Sequence, residues 1–102
     1  MANRLDLQTM LEKLLGSTNV YYQPPASVKL KYPAIVYSKA GIGKKYANNA
    51  TYSRSNSYEI IVIDYKPDNP VIDKLLDIPY CSFSGHYVAD NLHHDALKLS
   101  KF

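Results

Sequence analysis

Leu7, Met10, Leu11, Leu14 and Leu15 recur at the spacing of one helical face, which predicts an amphipathic helix over 4–15. Gly16 follows where helices commonly take a left-handed cap, and Ser17-Thr18-Asn19 does not readily continue the pattern. Val20-Tyr21-Tyr22 is β-prone but is stopped by Pro24-Pro25, so it reads as at most an edge strand. Pro33 to Ser38 reads as a strand with proline at its tolerated first position. Ser57 to Tyr65 is the strongest strand, and its Ile60-Ile61-Val62-Ile63 centre suits a strand covered on both faces. Asn69-Pro70 supplies a cap residue and a first-turn proline for a second helix over 70–77. Val71, Ile72, Leu75 and Leu76 give that helix an apolar face, and Pro79 ends it. Residues 80–89 read as a strand with Gly85 as a bulge, Asp90-Asn91 as a turn, and His93 to Leu99 as an antiparallel return.

These elements predict a single small α+β domain spanning 1–102, with a mostly antiparallel or mixed sheet and two helices packed on it. The 57–65 strand is expected at its centre. Ile61 and Ile63, Leu11 and Leu14, and Val71 and Leu75 are expected to meet in the core. Residues 39–57 break the pattern, being polar, basic and rich in small turn formers such as Gly41, Gly43, Asn48 and Asn49. They are expected to form a long basic hairpin loop, adaptable and ordered on contact, and loops of that length usually carry function. Lys39, Lys44, Lys45, Tyr46, Tyr52 and Arg54 are its candidate partner-binding residues.

Composition narrows the function classes. At 102 residues, 46% apolar and 21% charged, the chain is globular in composition and large enough for one modest core. A single cysteine, Cys81, excludes an internal disulfide and fits a reducing compartment. The longest aliphatic run is far short of a membrane span, so no membrane partner is expected. Asp6 and Glu12 within the first apolar stretch argue against a secretory signal. Ten of the twelve aromatic residues are tyrosines, which suit half-wet strand faces and interfaces. Charge is segregated: Lys29, Lys31, Lys39, Lys44, Lys45 and Arg54 stand without an acid between 29 and 54, whereas residues 59–102 carry a net −3. Opposite signs on one small domain suit two different contact surfaces.

Motifs for chemistry are incomplete. Gly41-Ile42-Gly43-Lys44-Lys45 lacks both the upstream glycine and the hydroxyl residue of a phosphate-binding loop. Among His86, His93, His94, Cys81, Asp90 and Asp95, His86 and His93 can approach across a hairpin, but no second pair completes a zinc set, and adjacent His93 and His94 point to opposite faces of a strand. Cys81 lies between Tyr80 and Phe83 in a strand pattern that suits a packed thiol better than a nucleophile. No enzyme activity and no cofactor is expected. Lysines interleaved with Tyr46 and Tyr52 keep a nucleic-acid contact open as an alternative.

Three stretches carry a family likeness: Lys31 to Tyr37, Tyr58 to Pro70, and Tyr80 to His94. In order and spacing over about residues 5–99 they resemble small proteins of the head–tail module of long-tailed bacteriophages, the tail terminator or tail completion proteins. The resemblance implies an α+β domain that forms a hexameric ring on the tail tube, ends tube growth and presents the surface to which the head attaches. It implies self, tail tube protein and head–tail connector proteins as partners, with transient contact with genomic DNA in the lumen. It places the protein at the head-proximal end of the virion tail, and in the host cytoplasm during assembly. Another neck joining protein of the same module is the neighbouring alternative. The family has no catalytic motif to carry over.

Overall fold

Leu7 and Leu11 lie one helical turn apart, and both are buried against the sheet. A computed structural model describes residues 4–47 and 50–100, with side chains for 4–40 and 57–100. In chain order the elements are α1 (Arg4–Leu15), β1 (Val20–Tyr22), β2 (Ala34–Ala47), β3 (Ala50–Asp64), α2 (Val71–Leu76), β4 (Cys81–Ala89) and β5 (Leu92–Leu99). They form a five-stranded sheet in the order β1-β2-β3-β5-β4 with two helices, the small α+β domain expected. β1 runs parallel to β2, and every other pairing is antiparallel. As expected, the strand containing 57–65 is central and Val20–Tyr22 is an edge strand.

Local chemistry explains the joints. Gly16 takes a φ of 76°, and its N–H and that of Ser17 both donate to the Glu12 carbonyl, closing α1 with a left-handed residue. Asn69 Oδ1 accepts from the Val71 N–H at 2.9 Å while its Nδ2 donates to Asp64 Oδ2 at 2.8 Å. One side chain thus starts α2 and ties it to the end of β3. Asp90 and Asn91 both adopt positive φ, 54° and 63°, the two-residue turn whose twist matches a hairpin between β4 and β5. The pairing slips between Phe83 and Gly85, so the bulge lies where glycine suggested it.

The core lies between the helices and one face of the sheet. Leu7, Leu11, Val71 and Leu75 from the helices meet Ile35, Tyr37, Tyr58, Ile60, Val62, Leu97 and Leu99 from the strands. Leu14 packs at its margin. The expectation for β3 needs a correction at Ile61 and Ile63. Strand alternation puts Tyr58, Ile60 and Val62 toward the helices, so Ile61 and Ile63 face the opposite side. There Ile63 is buried and Ile61 half-buried, and both line a cavity of about 330 Å³ shared with Pro24, Val28, Leu30 and His94. A run of four apolar residues does not announce which parity faces the larger layer.

Tyr37 supplies a polar knot in this core. Its hydroxyl donates to Gln8 Oε1, and Gln8 Nε2 in turn donates to the Val20 carbonyl at 3.0 Å. Arg4 lies 4.4 Å over the Tyr22 ring and donates to the Tyr37 hydroxyl at 3.3 Å. Tyr22, Tyr37 and Tyr58 pack ring against ring, at 4.9 and 6.1 Å between centroids.

Of residues 39–57, expected as a hairpin loop, 39–47 and 50–57 instead continue the strand pairing, and Asn48 and Asn49 lie outside the described residues. Beyond the Tyr58↔Leu99 pair, where β5 ends, β2 and β3 run on together from Gly41↔Ser57 to Ala47↔Ala50. Fourteen residues at about 3.3 Å each give β2 a length close to the 51 Å long axis of the molecule. Amphipathic periodicity could not reveal this ribbon, because its polar, basic and small residues offer no apolar alternation to read.

Two outcomes test this packing. Ile60→Ala should cost about 2–5 kcal/mol in chemical denaturation, and Ile61→Ala roughly half of that or less, since its site is only half filled. Equal costs would show that the two faces of β3 are packed alike. Burial pushes the hydroxyls of Tyr37 and Tyr58 above the ordinary value of 10.0, with Arg4 partly opposing the shift at Tyr37. The unfolded chain therefore ionises first, so this contribution is intact below pH 10.0 and is lost as pH rises toward the higher folded-state values. Thermal unfolding should show a fall in stability above pH 10.0 that is shallower in Tyr58→Phe than in the parent.

Candidate functional site

Two regions stand apart from the core. The first is the ribbon of β2 and β3, which carries the basic residues singled out from the sequence. Lys39 is exposed at its base, and its backbone N–H donates to Gln23 Oε1 at 3.2 Å. Lys44 pairs in register with Arg54, Lys45 with Ser53 and Tyr46 with Thr51, which leaves Tyr52 as the extra residue of a bulge. Backbone register therefore gathers Lys44, Lys45, Tyr46, Tyr52 and Arg54 on one two-stranded ribbon. Their side chains lie outside the described residues.

The second region is the β4–β5 hairpin at the far border of the sheet. His86 and Asp95 are cross-strand partners, and His86 Nδ1 donates to Asp95 Oδ1 at 2.7 Å. Asp95 is the buried charged residue of the described chain, 7% exposed, so this bond supplies its compensating partner. His86 Nε2 lies 3.2 Å from His93 Nδ1, and the two rings are 5.3 Å apart. With His86 neutral and its proton on Nδ1, Nε2 accepts from a His93 N–H. With His86 charged, Nε2 donates and His93 Nδ1 must accept. The relay accommodates one added proton; a second would set two N–H groups against each other.

His94 belongs to the opposite face, where its ring stacks on Tyr87 at 4.6 Å and 13°. The hairpin therefore divides the three histidines, as strand alternation requires. Among the described residues no group of three His, Cys, Asp or Glu side chains is arranged to hold a metal ion. His86 Nε2 is directed at another imidazole rather than at a hydroxyl or thiol, which gives the Asp–His pair no nucleophile to activate. Cys81 is half-buried at the start of β4, and burial pushes its thiol above the ordinary value, lowering the thiolate fraction. A depression of about 400 Å³ lies beside Asp95 under the β3–α2 turn, with Asp68, Asn69 and Asp73 on its walls. It places acidic groups at the end of the molecule away from the ribbon.

The outer strand of this hairpin is the more unusual surface. β4 is exposed along most of its length, and Phe83, Tyr87 and Val88 are 49, 48 and 57% exposed. Its inner edge pairs with β5, and among the described residues no strand pairs with its outer edge. The sequence pattern marked this segment as a strand but contained no sign that it would lie at the border, because its apolar content resembles that of an interior strand.

His86→Ala leaves the Asp95 carboxylate buried without its hydrogen bond and should cost about 1–3 kcal/mol. Urea denaturation of His86→Ala and Asp95→Asn checks this, and a cost below about 0.5 kcal/mol, the range of ordinary surface changes, would make the relay structurally idle.

Compared with protein-family models and with curated proteins, the chain matches none.

Proposed function

We propose that this protein is a structural joining component of a phage virion: a ring that caps the tail tube, ends its polymerisation and presents the surface to which the head attaches. The observation that carries the reading is the pairing of two unlike surfaces on one small domain. A basic two-stranded ribbon extends past the sheet, and an uncharged open strand flanked by acids borders it on the other side. Such a chain has the means for a heterologous contact, in which one patch meets a different patch on its neighbour, and heterologous contacts build rings. The resemblance of Tyr58–Pro70 and Tyr80–His94 to tail terminator proteins supplies the setting. Tail tube protein and head–tail connector proteins are the partners on the two sides of the ring. No cofactor and no catalysis enters this role.

A second reading, as another joining protein of the same neck, differs only in which neighbour the ring sits on. A third, a nucleic-acid-binding domain, draws on the cations and tyrosines of the ribbon. Negative-stain images of tails with the protein tagged at its end should show it at the head-proximal end of the tube. Finding it at the distal tip or inside the capsid would overturn the terminator reading. A monomeric mass together with DNA binding that survives physiological salt would replace it with the third.

A further inference from the structure

The two borders of the sheet are finished differently. On one, β1 pairs only with Ile35–Tyr37, and Gln23 then closes the border: its N–H donates to the Tyr37 carbonyl at 2.9 Å and its side chain accepts from the Lys39 N–H. On the other, β4 presents nine residues with an open outer edge. Border strands are ordinarily blunted by lysine, proline or inward-pointing charge, because an unpaired edge is a template for another chain. The segment Cys81–Ala89 contains no Lys, Arg, Asp, Glu or Pro, and three of its large apolar side chains stand about half exposed. Its bulge after Phe83 is the sole device of that kind in it.

The ribbon has the converse deficit. Its pairs from Gly41↔Ser57 to Ala47↔Ala50 have no third strand beside them among the described residues. A two-stranded ribbon is marginal in water on its own and gains most from a further strand. Charge selects the match. The ribbon carries Lys44, Lys45 and Arg54 and no acid, whereas α2, which contacts β4, carries Asp73 beside Lys74 and ends at Asp77, and Asp90 stands in the turn after β4.

We propose that β4 of one copy takes the ribbon of a second copy as its next strand. Backbone hydrogen bonds supply the contact, Phe83, Tyr87 and Val88 are covered by it, and the basic ribbon lies along the acidic flank. Because the two edges are unlike, each copy offers one and receives one. That direction of assembly propagates until it closes, so the inference deepens the ring reading and rests on it for closure, while the contact itself follows from the strand edges.

Analytical ultracentrifugation of the full chain tests the contact through complementation. Val88→Lys, at an exposed edge position, and Lys44→Glu/Lys45→Glu, on the ribbon, should each weaken self-association at least about tenfold. Mixed together they should form a one-to-one pair of near-parental affinity, since each retains the half the other lacks. Val88→Glu should associate at least as tightly as the parent, and circular dichroism establishes that each variant folds. Self-association by the ribbon variant alone, equal to the parent's, would show that β4 pairs with its own copy and overturn the proposal. So would a mixture that forms no pair, a folded Val88→Glu that fails to associate, or a parent that stays monomeric at concentrations on the order of 100 μM. None of these outcomes moves the protein along the virion, so tail imaging reports on the assembly role separately.

Discussion

The architecture depends on β3 being buried from both sides at once. Ile60 and Val62 meet the helices while Ile63 and the half-buried Ile61 line the cavity shared with Pro24, Val28 and Leu30, so a slip of one residue would exchange two differently shaped packing layers. That requirement pins β2 and β5 in register on either side. It also places Asp64 at the end of β3 where Asn69 can reach it, and Asn69 starts α2. The helix that covers the core is thus positioned by the strand it covers.

Polar groups sharpen what apolar burial leaves open. Leucines alone would let α1 rotate or slide over the sheet by a fraction of a turn. The bond from the Tyr37 hydroxyl to Gln8, and from Gln8 to the Val20 carbonyl, joins helix, edge strand and second strand through one side chain. On the other half of the sheet Asp95 and His86 play the corresponding part, joining β4 to β5 across the hairpin. In each half, a buried polar group finds its partner on a different strand or helix, which specifies register more narrowly than hydrophobicity does.

Much of this was legible in the residues. Leu7 to Leu15 carries the helical period, Gly16 its stop, Asn69-Pro70 the next start, and Asp90-Asn91 a turn that needs two left-handed residues. Two things were not. The parity of β3 was hidden because Ile60 to Ile63 is apolar at every position, and alternation cannot be read where nothing alternates. The strands through 39–47 and 50–57 were hidden because turn formers and charge there offer no apolar alternation to read. The same blindness applied to the candidate surface. Cys81–Ala89 reads as a strand, but whether a strand is interior or bordering is a property of topology, which no local pattern records.

The bulge in β4 divides its aromatic side chains between the two faces of the sheet. In an unbroken strand Phe83, Gly85 and Tyr87 would point the same way and line up an aromatic stripe along an open edge. The slip after Phe83 sends that ring to the side of Leu97 and Tyr87 to the side of His94. Stacked copies therefore find no continuous dry face of matching side chains, which is what a fibril needs.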